Sequence, residues 1–106
     1  MSDFLGEFEQ LVLLAVARLG EGAYGVPIRR EIEERAERPT SLGAVYVTLD
    51  RLEDKGCVTS KKGAPTPERG GRAKRVFRVT PEGEAALQRS RRAIARLSEG
   101  MKLRWL

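Results

Sequence analysis

Residues 41–56, SLGAVYVTLDRLEDKG, form the pattern of one amphipathic helix with a recognisable signal at each end. Ser41 is a good N-cap, and Gly56 stands where a left-handed C-terminal cap favours glycine. An apolar stripe at helical spacing is expected to face the core: Leu42, Val45, Leu49 and Leu52. At 3.6 residues per turn the opposite side starts small and ends charged: Gly43, Val47, Asp50 and Arg51, flanked by Ala44 and Tyr46.

Two further helices are predicted before this one. In Glu7–Leu19 the apolar residues recur at spacings of three and four, and because additional positions are apolar we expect this helix to be covered on more than one side. Val26–Ala36 is predicted as a short second helix with Ile28 and Ile32 facing inward. Its remaining positions carry mixed charges, which favours a solvated face with weak ion pairs over a catalytic carboxylate pair.

A β-hairpin is predicted after the third helix. Residues 57–62 and 75–79 alternate as strands, with Phe77 and Val79 inward, and the turn-rich segment 63–73 connects them. Seven cations against the single acid Glu68 lie between residues 61 and 78: Lys61, Lys62, Arg69, Arg72, Lys74, Arg75 and Arg78. Such a hairpin can follow a phosphate backbone, and we favour this interpretation over an idle basic loop.

The last helix is predicted from Pro81 to about Arg104, with Thr80 as its N-cap. One side carries an apolar seam interleaved with arginines: Leu87, Ile94, Leu97, Met101 and Trp105. We expect this seam to pack against a second copy of the chain, either on the same helix or on the apolar first helix. The alternative is that it folds back on its own domain.

Three helices followed by a two-stranded hairpin define the fold class. We predict a mainly α protein with a small β-hairpin: a winged helix-turn-helix over residues 1–80, with its wing at about 57–80, plus a C-terminal dimerisation helix over 81–106. The third helix would enter the major groove, where Ser41, Gly43 and Ala44 allow close approach to DNA. An equally weighted alternative is that these three residues only cap and pack the helix.

Charge and composition restrict the function further. Up to Gly56 the 106-residue chain has 7 basic and 11 acidic residues, and after it 13 and 4, so the second half presents a basic surface suited to a polyanion. With Cys57 as the one cysteine an internal disulfide is excluded, and without histidine we expect neither a zinc site nor triad catalysis. We expect a cytoplasmic protein with no membrane segment, no cofactor, no metal and no enzymatic activity.

Four blocks of sequence, in order and spacing, resemble the PadR family of bacterial transcriptional regulators: LGEFEQLVLLAVARLG at 5–20, AYGVPIRREIEER at 23–35, SLGAVYVTLDRLEDKG at 41–56 and GGRAKRVFRVTPEG at 70–83. The resemblance implies a homodimer held by the last and first helices, the latter through Phe8 and Val12. It also implies binding of double-stranded DNA at a palindromic operator, usually as a repressor.

Positions of the matching blocks give the site residues that the resemblance implies. Those on the third helix are Ser41, Tyr46, Thr48 and Arg51, and those on the wing and its flank are Gly70, Gly71, Arg72, Lys74, Arg75 and Lys55. A tyrosine such as Tyr46 can also simply pack its ring.

In the drug-binding branch of the family an aromatic residue occupies the middle of the last helix. Residues 92–95 of this chain contain no aromatic residue, so no small-molecule effector is indicated. Trp105 is interpreted as a dimer or core anchor.

Two other interpretations remain to be separated from DNA binding. A winged helix can serve as a protein-interaction module, with its basic face against an acidic partner. An enzyme is a remote third class, because the chain offers no general base and no cofactor motif.

Cys57 is interpreted as a buried packing residue rather than a redox sensor.

Overall fold

The computed structural model describes residues 4–65 and 73–102, with only the backbone at residues 64, 65 and 73. Its elements follow in the order expected from the sequence: α1 (Glu7–Leu19), a 3₁₀ turn (Gly20–Gly22), α2 (Gly25–Arg35), α3 (Leu42–Asp54), β1 (Val58–Pro65), β2 (Ala73–Val79) and α4 (Pro81–Ser98). The bounds of α1 agree with the prediction, those of α2 lie one residue earlier at both ends, and α3 ends one residue before the predicted Lys55.

Helices α1, α2 and α3 pack their apolar stripes into one core. Of the predicted α3 stripe, Val45, Leu49 and Leu52 are fully buried and Leu42 is half-buried, and the inward residues of α2 are buried as well. In α1 the buried residues spread beyond one narrow stripe, which agrees with cover on more than one side. Exposed Leu14 shows that the cover is incomplete.

The hairpin closes the core from the side. Phe77 on β2 is buried as predicted, and its backbone N–H donates to the Ala23 carbonyl at 2.8 Å, which anchors the strand to the turn between α1 and α2. β1 and β2 pair antiparallel, with Ser60 opposite Phe77 and Lys62 opposite Arg75. Both strands extend further toward the tip than the sequence indicates, so the connection predicted at 63–73 contracts to residues 66–72, which lie outside the described residues.

Helix α4 starts against the beginning of the hairpin. The Thr80 hydroxyl accepts from the Gly83 N–H at 3.0 Å and donates to the Gly56 carbonyl at 2.6 Å, so one side chain caps α4 and ties it to the end of α3. Gly83 is buried against the Cys57 backbone, and a β-carbon on it would overlap the Cys57 carbonyl oxygen. Cys57 is itself buried, as predicted, and burial raises the pKa of its thiol.

The predicted end of α4 near Arg104 is wrong. The helix stops at Ser98, because Glu99 adopts an extended conformation and Gly100 has a φ of 79°. The Met101 N–H then bonds back to the Ser98 carbonyl at 3.0 Å, and this turn replaces the next helical repeat. Met101 therefore lies beyond the helix, and Arg104 lies outside the described residues.

The architecture is a mainly helical winged-helix fold, with β1 and β2 as the wing and α4 appended to it. Across residues 4–65 and 73–102, no helix combines the length and apolar character that a membrane crossing requires.

Candidate nucleic-acid interface

The first turn of α3 presents small, exposed residues. The Ser41 hydroxyl accepts from the Ala44 N–H at 3.1 Å, which confirms the predicted N-cap. Gly43 and Ala44 are exposed, and a β-carbon on Gly43 would have no neighbouring atom within 4 Å. Close packing therefore does not require glycine at this position, which weighs against the packing alternative and leaves room for another molecule to approach the backbone.

Two further residues extend the exposed side of α3. Val47 is 55% exposed, although it is apolar and lies in the middle of the helix, and Arg51 follows one turn later. Among the described residues Arg51 has no ion-pair partner within 4 Å. Val47 was not among the predicted site residues, although its place on the outer side of the helical wheel is the signal for it. This side of α3 thus offers a methyl surface next to an available guanidinium group.

Thr48 and Tyr46 do not lie on the exposed side of α3. Thr48 is only 5% exposed and faces the core, so its predicted role in contacting DNA is corrected to one of packing. Tyr46 is half-buried, and its ring lies over Gly25, where a β-carbon would come within 2.6 Å of the tyrosine Cζ. Glycine at the start of α2 therefore makes room for this ring, and packing accounts for much of what Tyr46 does.

The Arg75 guanidinium is directed toward α3, and its side chain is 42% exposed. Its Nη2 donates to the Glu53 carboxylate at 2.8 Å and to the Ser60 hydroxyl at 3.0 Å, and Asp50 lies 3.7 Å from Nη1. The guanidinium also covers the ring of Phe77, with 5.0 Å to its centroid. Two carboxylates therefore engage this cation within the chain, and the phosphate contact of Arg75 stays a prediction.

Lys74 is also engaged within the chain. Its Nζ lies 4.3 Å from the centroid of the Tyr24 ring, in a cation–π contact on the opposite side of the hairpin from α3. The remaining wing residues of the predicted site, Gly70, Gly71 and Arg72, lie outside the described residues.

Lys55 at the end of α3 forms an ion pair with a buried acid. Its Nζ lies 2.7 Å from Glu9 Oε2, while Glu9 Oε1 accepts from the Gly6 N–H at 2.8 Å. Burial alone would raise the pKa of Glu9, but the hydrogen bonds from Lys55 and Gly6, with the positive charges of Lys55 and Arg51, hold it below its ordinary value. Lys55 is thus paired with an acid of its own chain, and its phosphate contact stays a prediction.

This ion pair makes folding stability dependent on pH. Because the folded-state pKa of Glu9 is lowered, its contribution is complete above the unfolded value of about 4.3 and is lost as pH falls through the folded-state value. We expect Glu9→Gln to lower the free energy of unfolding by about 1 kcal/mol at pH 7 and by much less at pH 3, measured by urea denaturation. The exposed Glu34→Gln is the matched control, because Glu34 has no ion-pair partner among the described residues, and equal losses for Glu9→Gln at both pH values would contradict the assignment.

Other wing cations are available for an external anion. Lys61, Lys62 and Arg78 are exposed and have no ion-pair partner within 4 Å among the described residues. Lys62 is directly opposite Arg75 and shares its side of the hairpin, so its ammonium lies on the side of the wing that adjoins α3. Lys62 was counted among the cations of the hairpin but was not named as a site residue. Of the exposed, unpaired wing cations that the structure describes, it is the one assigned to the side that adjoins α3.

The predicted dimerisation residues divide into buried and exposed groups. Val12 is 0% exposed in the core of the single chain, so its predicted place on a dimer surface is wrong. Phe8 is half-buried, with the Arg38 guanidinium 5.1 Å from its ring centroid, and Leu87 is half-buried against the core.

Ile94, Leu97 and Met101 are exposed, the first two by 63% and 83%. Trp105 lies outside the described residues.

The three helices and the basic hairpin define the class of protein as a winged helix-turn-helix, in which one side of α3 is exposed. Comparison with protein families gives the particular group. The Transcriptional regulator PadR-like family matches residues 13–89, and the chain therefore belongs to this family of transcriptional regulators.

Individual relatives agree with this assignment. Transcriptional regulator Rv3488 of Mycobacterium tuberculosis is 39% identical over 75 residues, which cover 71% of this chain, and the chain spans 65% of that relative's length. A PadR-like transcription factor from Bacteroides fragilis has the same fold, with a TM-score of 0.73 at 23% identity over 87% of this chain and 84% of its own. A PadR family regulator from Clostridium difficile gives a TM-score of 0.64 at 26% identity over 88% and 95%.

Proposed function

We propose that the protein binds double-stranded DNA as a homodimer, recognises a palindromic operator and represses transcription from it. The observation that carries the proposal is the exposed side of α3, where Gly43, Val47 and Arg51 follow one another without cover from their own domain. The protein would act in the cytoplasm, where the DNA of a bacterium lies. No enzymatic activity and no effector ligand are proposed.

The chemistry of α3 suits a major groove. Small residues in the first turn let the helix N-terminus approach a phosphate, which its free N–H groups and dipole favour. The Val47 methyl groups can contact a thymine methyl, and a guanidinium such as that of Arg51 can donate two hydrogen bonds to guanine. Lys62 lies on the side of the wing that adjoins α3 and would contact the flanking phosphates.

The dimer is supported by an apolar surface that the single chain leaves open. Ala86 and Ser90 on α4 are buried, and the same side of the helix continues to Ile94 and Leu97, which are exposed. Such side chains on a helix that leaves its own core are suited to cover by a second copy. A dimer would place two α3 helices in successive major grooves, about 34 Å apart, and could block a promoter that overlaps the operator.

Selection of bound sequences from a random duplex pool tests the proposal. We expect an enriched palindrome with half-sites about one helical turn apart. A pool without enrichment, together with micromolar or weaker affinity at physiological salt, would favour the protein-interaction alternative.

Two substitutions distinguish a residue that reads bases from one that contacts the DNA backbone. We expect Arg51→Ala to weaken binding to the selected operator by about 1–3 kcal/mol and to relax preference at one base pair of each half-site. Lys62→Ala should weaken operator and random duplex by the same factor and reduce the magnitude of the salt slope by about 0.9 for each phosphate that is no longer neutralised. Fluorescence anisotropy titrations at several salt concentrations measure both, and an unchanged base preference in Arg51→Ala would exclude it as a reading residue.

A further inference from the structure

Three side chains join the wing to the recognition helix, and we name them the wing latch: Glu53 on α3, Ser60 on β1 and Arg75 on β2. The Glu53 carboxylate accepts from Arg75 Nη2 at 2.8 Å and from the Ser60 hydroxyl at 2.9 Å, while that hydroxyl accepts from Arg75 at 3.0 Å. Each member therefore contacts the other two, and each lies on a different element. The triangle fixes both strands against one helix.

The surroundings of the latch limit its freedom. The Arg75 guanidinium rests on Phe77, which is 1% exposed and belongs to the core, so the arginine cannot move inward. Asp50, one turn before Glu53, lies 3.7 Å from the other guanidinium nitrogen and draws it along α3. A planar group with several donors in fixed directions suits this arrangement, which an ammonium group could satisfy only in part.

The latch also changes the charge of the recognition surface. Asp50 and Glu53 lie on α3, close to the side that would meet DNA, and two uncompensated carboxylates there would repel phosphate. Arg75 offsets one of these two negative charges from the wing. Lys62, directly opposite Arg75 on the same side of the hairpin, has no acidic partner among the described residues and keeps its charge for an external anion.

We propose that Arg75 is a positioning residue, which holds the wing at a fixed angle to α3 so that both reach DNA together, and that it is not a phosphate ligand. This inference rests on the proposed function. Without the latch the wing would sample several angles, and the apparent affinity would fall by the fraction of molecules in the competent arrangement. The loss is expected at the specific operator, where α3 and the wing must fit simultaneously.

Four variants distinguish positioning from phosphate contact. Arg75→Gln removes the cation at the centre of the latch, Arg75→Lys keeps a cation that could still bind phosphate, and Glu53→Gln removes the negative charge and one acceptor oxygen of the partner without touching the wing. Asp54→Asn is the matched control, because Asp54 is an exposed acid next to Glu53 with no ion-pair partner among the described residues. Each variant is titrated against the selected operator and a random duplex at several salt concentrations, and thermal unfolding verifies that each is folded.

A positioning role predicts a particular set of results. Operator affinity should fall about 3- to 10-fold in Arg75→Gln, Arg75→Lys and Glu53→Gln, with the salt slope unchanged because the same phosphates remain neutralised. The double variant Glu53→Gln/Arg75→Gln should bind no more weakly than either single variant, since the two residues act as one unit. Asp54→Asn should leave the ratio of operator to random-duplex affinity unchanged.

Phosphate contact predicts the opposite. Arg75→Gln would then weaken both duplexes equally with a smaller salt slope, Arg75→Lys would bind like the parent, and Glu53→Gln would behave like Asp54→Asn; this result would overturn the inference. A parent protein that binds all duplexes alike would instead overturn the proposed function, and the purpose of the latch with it. The two failures are distinct because the second is observed without any substitution.

Discussion

Among the described glycines, Gly83 is the one whose substitution by alanine is expected to lower the free energy of unfolding most. The new β-carbon would overlap the Cys57 carbonyl oxygen and lie 3.0 Å from the carbonyl carbon and 3.1 Å from Cα. These are backbone atoms held by hydrogen bonds to Leu52 and Thr80, so they cannot rotate away as a flexible side chain would. We expect a loss of roughly 3 kcal/mol, or about 12–24 °C in Tm, measured by thermal unfolding.

Gly43→Ala is the matched control, since it also adds one methyl group within the first turn of a helix. No atom lies within 4 Å of that position, and alanine is the better helix former, so stability should stay the same or rise by up to about 0.5 kcal/mol. Operator affinity should nevertheless fall if α3 approaches DNA closely at this point. Similar stability losses in the two variants would refute the steric explanation for glycine at position 83.

The contrast between these glycines shows what the sequence could and could not predict of the fold. Helix α3 was predictable because Ser41, the apolar stripe and Gly56 are all local signals within one segment, and the structure gives Gly56 the expected positive φ of 76°. The need for glycine at position 83 does not come from neighbouring residues in the sequence. It arises because Cys57, 26 positions earlier in the sequence, passes against the start of α4, and a single helical glycine carries no sign of such a contact.

The same limit applies to the candidate site. A count of cations along the hairpin predicted a basic wing, but it could not indicate which cations would meet an acid once the chain folded. Arg75 meets Glu53, Lys55 meets Glu9, and Lys74 meets the Tyr24 ring, each through contacts between different elements. The exposed side of α3 was better predicted, since helical spacing alone places Gly43 and Arg51 away from the core.

Helix α4 combines two kinds of surface on one side, and its exposed apolar positions are the basis for the proposed dimer. Ser90 is buried because its hydroxyl accepts from the Leu5 N–H at 2.8 Å and donates to the Ala86 carbonyl at 2.9 Å, so the N-terminal segment covers the helix up to this point. Beyond it the described part of the chain offers no cover. Ile94 and Leu97 continue the same side at spacings of four and three residues, as an apolar extension of the core outside the domain.

Ile94→Glu/Leu97→Glu is therefore expected to abolish dimer formation without unfolding the domain. Both side chains are mostly exposed in the single chain, so the substitutions remove little from its core, whereas two carboxylates would be buried uncompensated between two copies. We expect sedimentation velocity to show a monomer. Affinity for the full palindrome should fall roughly a hundredfold or more, while affinity for an isolated half-site stays near that of the parent.

Gln88→Glu provides the control on the opposite side of the same helix. Gln88 is exposed, and a nine-residue separation at 100° per residue places it half a turn away from Leu97, so a charge there should leave both the dimer and operator binding intact. The assignment would be wrong if the double variant remained a dimer, or if the parent were already a monomer at micromolar concentration. A double variant that is monomeric yet binds the full palindrome as the parent does would separate dimer formation from operator recognition, since linkage of two half-site contacts is the source of the expected affinity.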